Sequence, residues 1–269
     1  MGFRAHRIAA LALGCAASFL SVSEGVARSA EPSSAAGREA VLAMAEAHGG
    51  LNRWSATPTV GFEDEFAVGG QPPRVSRAMV EQGRRRAYID FPGSGARLAW
   101  DGERAWSENW NSPVPPRFLA LLNYYFLNLP WLALDRGVRL GEPGTARLWQ
   151  DPREYVTVKM TFEKGVGDTP RDYYLLYIEP ATNRLKACEY IVTYRALLPP
   201  GVEASPPHVL VYDEWHTVSG LLVPTKYTIY DKDHSVYGSC RVRKWSFSKP
   251  FDETRMRMPE GAVRDTSTP

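Results

Sequence analysis

Cysteine, net charge, long apolar runs and enzyme motifs are all scarce in this chain. It has three cysteines in 269 residues, and Cys15 falls in a removable N-terminal segment, leaving Cys188 and Cys240. Two cysteines are enough for one disulfide in an oxidising compartment. In a simple meander, however, they stand two strands apart at about 5 Å per strand, beyond the usual Cα separation of a bridge; the pairing stays open. Residues 1–29 hold Arg4, Arg7, Arg28 and Glu24, and removing them from 32 basic and 30 acidic residues leaves 29 of each. A neutral balance gives no electrostatic reason to expect nucleic acid or an anionic membrane face as partner. The local run Arg84 to Arg86 reads as a solvated strand edge or a salt-bridge network. There is no Gly-x-Ser-x-Gly elbow, phosphate-binding glycine loop, His-Glu-x-x-His or Cys-x-x-Cys. The longest uncharged stretch, Phe118 to Leu134, falls short of the roughly 20 residues that span a bilayer. It also carries Asn123 and Asn128 and is broken by Pro130.

What is present begins with a secretory layout. Arg4 and Arg7 precede the apolar run Ile8 to Leu20, and Ala27 and Ser29 are small residues suited to a cleavage site. The reading is a signal peptide over 1–29 and a single domain over 30–269, in the periplasm or secreted. Leu11 to Cys15 loosely resembles a bacterial lipobox. Ala12 departs from that pattern, and the segment after Cys15 stays apolar through Phe19, Leu20 and Val22, so an anchor at Cys15 is the weaker expectation.

A short helix is expected within 33–55, with Val41, Met44, Ala45 and His48 on one face and Gly49-Gly50 ending it. Thereafter the period is two. Val60, Phe62, Phe66 and Val68 alternate with Gly61, Glu63, Glu65 and Ala67. Further strands are predicted at 75–81, 86–91, 96–100, 104–108, 155–162, 172–178, 185–194, 209–216, 221–231 and 235–247, with Asp101-Gly102 as a hairpin turn. Val156, Val158, Met160 and Phe162 fall on one side and Tyr155, Thr157, Lys159 and Thr161 on the other, a strand with one wet face. Short connections make this a mainly β (α+β) chain with a single antiparallel sheet of roughly ten or more strands, large enough to curl. Phe118, Leu121, Leu122, Tyr125, Phe126 and Leu129 follow a helical spacing, and Leu119 and Tyr124 widen the apolar surface. A helix that is apolar almost all round must be buried. The expectation is an apolar helix roofing the concave face.

Chemistry-bearing residues are few. His208 and His216 stand about 26 Å apart along one predicted strand and cannot share a metal. Glu214 and His216 share a side but read as an exposed pair. His48 on an apolar face reads as a bonded core residue, and Asp231 to His234 as a solvated turn rather than a calcium loop.

Trp100-Asp101-Gly102 followed by Trp106, after the Tyr88 to Pro92 segment, resembles the hairpin element of the bacterial outer-membrane lipoprotein carrier superfamily (LolA/LolB-like). So do the strand Gly220 to Thr225 and the closing segment Phe251 to Asp265. No Arg-Pro pair stands at Gly83 to Arg86, so no release role passes to those arginines. The resemblance implies a half-open β-barrel capped by helices, with an apolar cavity that accepts acyl chains. The expected lining is Trp100, Trp106, Phe118, Leu121, Leu122, Tyr125, Phe126, Trp131, Met44 and His48. The expected protein is a non-enzymatic monomeric carrier of a lipid or lipoprotein acyl chain, with an envelope protein as possible partner and neither cofactor nor metal. Two alternatives are a hydrolase acting on an apolar substrate in the same cavity and a ligand-free envelope scaffold.

Overall fold

A computed structural model describes residues 33–268, so the signal segment and Cys15 lie outside the described residues. Two helices come first, α1 (Ala35–Ala47) and α2 (Leu51–Ser55). Five strands follow: β1 (Thr59–Val68), β2 (Arg74–Glu81), β3 (Arg86–Phe91), β4 (Ala96–Trp100) and β5 (Ala105–Glu108). After α3 (Pro116–Leu132) come β6 (Val138–Leu140), β7 (Gly144–Leu148), β8 (Asp151–Phe162), β9 (Tyr174–Ile178) and β10 (Leu185–Tyr190). The chain closes with β11 (His208–Val218), β12 (Leu221–Tyr230), β13 (Val236–Ser246) and β14 (Val263–Arg264).

These strands form one antiparallel sheet in the order β14-β5-β4-β3-β2-β1-β13-β12-β11-β10-β9-β8-β6, with β7 also on β8. Two meanders are joined where β1 pairs β13, Phe66 opposite Cys240. α3 touches β3, β4 and β5 and also β12, six strand steps from β5. A flat sheet would separate those strands by about 29 Å, far more than a helix diameter. The sheet therefore bends around α3, whose underside joins the main core with α1 and α2.

Local chemistry explains the helices. Ser34 caps α1 by accepting from the Gly37 N–H at 3.0 Å. Its end presses against the β11–β12 hairpin so closely that a Cβ on Gly49, at φ 107°, would lie 2.3 Å from the Gly220 carbonyl oxygen. α3 starts at Pro116, a favoured first position, rather than at Phe118. Pro115 offers no side-chain cap, and the Asp265 carboxylate from the C-terminal tail accepts from the Arg117 N–H instead, at 2.7 Å.

Two expectations need correction, and one open question is answered. Pro130 does not break the helix but stands inside it. The carbonyl it deprives of an N–H partner, on Phe126, accepts from the Tyr212 hydroxyl at 2.5 Å. Tyr155 does not face water: it is 1% exposed, in a second small cluster with Leu148, Tyr177, Ala187 and Val211 on the other face of the sheet. Its hydroxyl donates to Asp151 at 2.7 Å, which makes that burial tolerable. Cys188 and Cys240 are both free and buried, on β10 and β13 with β11 and β12 between them, roughly 14 Å across the sheet.

Candidate functional site

Between α3 and the first three strands lies a cleft. Leu119, Ala120, Leu122, Asn123 and Tyr124 form its helix side. Its sheet side is the inward row of β1 (Phe62, Asp64, Phe66), that of β2 (Arg74, Ser76, Ala78), and Ile89 and Phe91 of β3. Alternation along each strand places these side chains on one face, Phe62 opposite Ala78 and Asp64 opposite Ser76. The cleft's volume is about 40 Å³, room for about three waters.

Its polar centre is Asp64, only 2% exposed. One carboxylate oxygen accepts from the Ser76 hydroxyl at 2.5 Å, and the other accepts from the Asn123 amide. The Tyr227 hydroxyl donates to Asn123 Oδ1 at 2.6 Å, so one buried chain runs from β2 through β1 and α3 to β12. Burial raises the Asp64 pKa above the ordinary carboxylate value, against the Ser76 and Asn123 hydrogen bonds and the charge of Arg74. The network ties the middle of α3 to both meanders.

The ends of α3 are held by charge. Arg85, at φ 53°, donates to Asp135 at 2.6 Å and lies 5.5 Å from the Tyr124 ring centroid and 5.9 Å from that of Tyr125. Arg117 donates to Asp168 at 2.7 Å and stacks 3.4 Å over the Trp100 ring. On the buried side of the helix, Asn128 Oδ1 and Trp131 Nε1 find no hydrogen-bond partner among the described residues.

The residues expected to line a cavity are distributed as follows. Leu122 borders the cleft. Leu121, Phe126, Trp131, Met44 and Trp106 are buried in protein contacts, with Trp131 stacked on Trp54 at 4.6 Å. Phe118 packs half-buried against Tyr194, and Trp100 and Tyr125 lie half-buried under arginines. His48 is fully buried, donating from Nδ1 to the Leu222 carbonyl at 3.0 Å and accepting at Nε2 from the Leu185 N–H at 3.1 Å. Both ring nitrogens are occupied by backbone, and burial lowers its pKa to about 4. Glu214 and His216 are exposed, with Glu214 3.9 Å from Arg241. Among the described residues no three His, Cys, Asp or Glu side chains converge as metal ligands, and no helix is long and apolar enough to cross a membrane.

Asp64, Ser76, Arg74 and Asn123 escaped the sequence reading. Their signal was an interruption: a carboxylate at the centre of the otherwise apolar row Val60, Phe62, Phe66, Val68.

No family model matches this chain, and no curated protein matches it in sequence. Solved structures do. A DUF1329 family protein from Desulfovibrio piger matches with a TM-score of 0.54 at 10% identity, covering 82% of this chain and 97% of that one. A LolA superfamily protein from Nitrosomonas europaea matches with a TM-score of 0.50 at 12% identity, covering 83% and 99%. At such identities the likeness lies in the backbone, and on it this chain, one large antiparallel sheet with few helices, has a LolA-like fold.

Proposed function

We propose that the protein is a non-enzymatic carrier in the bacterial cell envelope, exported by its N-terminal signal, that binds an acyl chain of a lipid or lipoprotein between α3 and the sheet. The observation carrying this reading is α3 itself, an apolar helix uncharged beyond Arg117 in its first turn, laid across the hollow of a bent sheet with a cleft along one flank. Around the polar group at Asp64, sheet and helix offer a mainly apolar interior, and each acyl methylene moved there from water contributes about 0.8 kcal/mol. The LolA-like fold supports the same reading. Nothing at His48 or His216 favours a hydrolase, since the first is committed to the backbone and the second faces solvent.

A second reading, a ligand-free envelope scaffold, has one observation in its favour. A cleft of about 40 Å³ holds water but no acyl chain, so carriage requires α3 to move outward. Native mass spectrometry of residues 30–269 purified from a bacterial periplasm separates the two. Carriage predicts a co-purifying lipid that organic extraction releases, and uptake of a fluorescent fatty acid by the stripped protein. Repeated absence of both would leave the scaffold.

A further inference from the structure

Arg74 stands at the rim of the cleft, exposed to solvent on one side and without an ion-pair partner among the described residues. It opens β2 on the inward row that continues through Ser76 and Ala78, opposite Phe66. Its guanidinium carbon lies 4.8 Å from the Phe91 ring centroid and 5.2 Å from that of Trp110. Two aromatic faces hold and partly desolvate a guanidinium, but they offer no acceptor to its five N–H groups.

Other arginines nearby are paired. Arg77 meets Glu63, Arg85 meets Asp135, Arg86 meets Glu81 and Glu253, and Arg97 meets Glu108. Among the described residues Arg74 has no ion-pair partner and its side chain no hydrogen-bond acceptor. Asp64 is the carboxylate whose field reaches it, and both Asp64 oxygens are engaged by Ser76 and Asn123. Burial lowers the Arg74 pKa and Asp64 only partly opposes this, as expected of a cation lacking a close counter-ion.

We propose that Arg74 anchors the anionic end of the ligand: the cleft takes an amphiphile whose apolar chain lies beneath α3 and whose carboxylate or phosphate is held by the Arg74 fork. This rests on the carrier reading and narrows its ligand class. A guanidinium matches the planar oxygen pair of a carboxylate or two oxygens of a phosphate, and an apolar mouth strengthens that bond. Asp64, deeper in the cleft, repels an anion and sets the polarity of binding, chain inward and charge at the rim. Trp110 belongs to the segment leading into α3, with its Nε1 donating to the Val114 carbonyl at 2.9 Å. The aromatic bracket around Arg74 is thereby connected to the base of the helix that must move.

The test titrates stripped mature protein with cis-parinaric acid, a fluorescent fatty acid, and with its uncharged methyl ester. The wild type is expected to bind the acid at least roughly tenfold more tightly, the scale of a charge-assisted hydrogen bond. Arg74→Gln should abolish that preference by weakening the acid at least roughly tenfold while the ester changes far less, with an unchanged urea unfolding midpoint showing that the variant is folded. Arg74→Lys should retain part of it. Displacement by palmitate or by a single-chain lysophosphatidate then tells which anion is preferred. Equal affinity for acid and ester in the wild type, or a preference that survives Arg74→Gln, overturns this inference and leaves the carrier reading standing. Binding of neither probe removes both.

Discussion

His48 donates one hydrogen bond to backbone and accepts another while fully buried, so its protonation is coupled to folding. The unfolded chain takes up that proton near 6.5 and the folded chain only near 4, mainly because burial disfavours the cation; Arg184 adds to the effect and the Leu222 bond opposes it. As pH falls below 6.5 the unfolded state binds more protons, so stability is lost progressively until about pH 4 and then levels off. The gap corresponds to roughly 3 kcal/mol. Asp64 acts with the opposite sign: its raised pKa means that protonation above the ordinary carboxylate range favours the folded state. Replacing His48 separates the two. His48→Gln can still donate to Leu222 and accept from Leu185, but it does not titrate. Urea unfolding at pH 7.5 and pH 4.5 is expected to show a much smaller fall in the variant than in the wild type. An unchanged fall would assign the pH dependence to carboxylates and refute the buried-neutral role of His48.

At the scale of the element, α3 shows how a sequence rule is overridden. Pro130 removes the N–H that would reach the Phe126 carbonyl, and an isolated helix suffers by about 3 kcal/mol from an interior proline. Here the Tyr212 hydroxyl of β11 supplies the missing donor at 2.5 Å. Tyr212→Phe is therefore expected to cost about 1–3 kcal/mol, because the buried carbonyl is left unpaired. In a Pro130→Ala background the restored N–H should reduce that cost to less than half. Urea midpoints for the four proteins of this cycle measure the coupling, and additive effects would mean that the hydroxyl does not replace the proline's missing donor. The sequence reveals the proline but not its remedy, which comes from a residue 86 positions beyond the deprived Phe126 carbonyl. Strands with clear alternation were legible, and 86–91 and 96–100 coincide with β3 and β4. β6, β7 and β14 were not, since runs of two to five residues are too short to establish a period on their own. The cleft was half-legible for a similar reason. Its apolar rows follow from period two, while the meeting of Asp64 with Asn123 and Tyr227 depends on how far the sheet bends.

For the molecule as a whole, the question is which part yields if a chain of carbon is to enter a space of about 40 Å³. The sheet resists. From β5 to β8 every strand pairs on both sides, so widening it anywhere breaks a ladder of backbone bonds. α3 is held differently, by the Asp64–Asn123–Tyr227 chain, the Tyr212 bond, the Asp265 cap and the half-buried pairs Arg85–Asp135 and Arg117–Asp168. Those links are few and local, and among the described residues Asn128 Oδ1 and Trp131 Nε1 on its buried side find no partner. Opening should accordingly be a sub-global motion of α3 and the segments flanking it, with the sheet intact. Native-state hydrogen exchange then has a defined expected outcome. Amides of α3 exchange through an opening of lower free energy than those of β1, β12 and β13, which exchange only on global unfolding. Arg85→Ala, which removes a pair worth up to about 1 kcal/mol, raises α3 exchange about fivefold; the pair is lost on global unfolding as well, so the three strands speed up by the same factor and the gap between helix and sheet persists. Saturation with cis-parinaric acid slows α3 exchange, and by the same linkage it slows the globally exchanging strands. If α3 instead exchanges only together with β12 and β13, helix and sheet are one cooperative unit. The helix is then no lid, and the interior is closed to any chain.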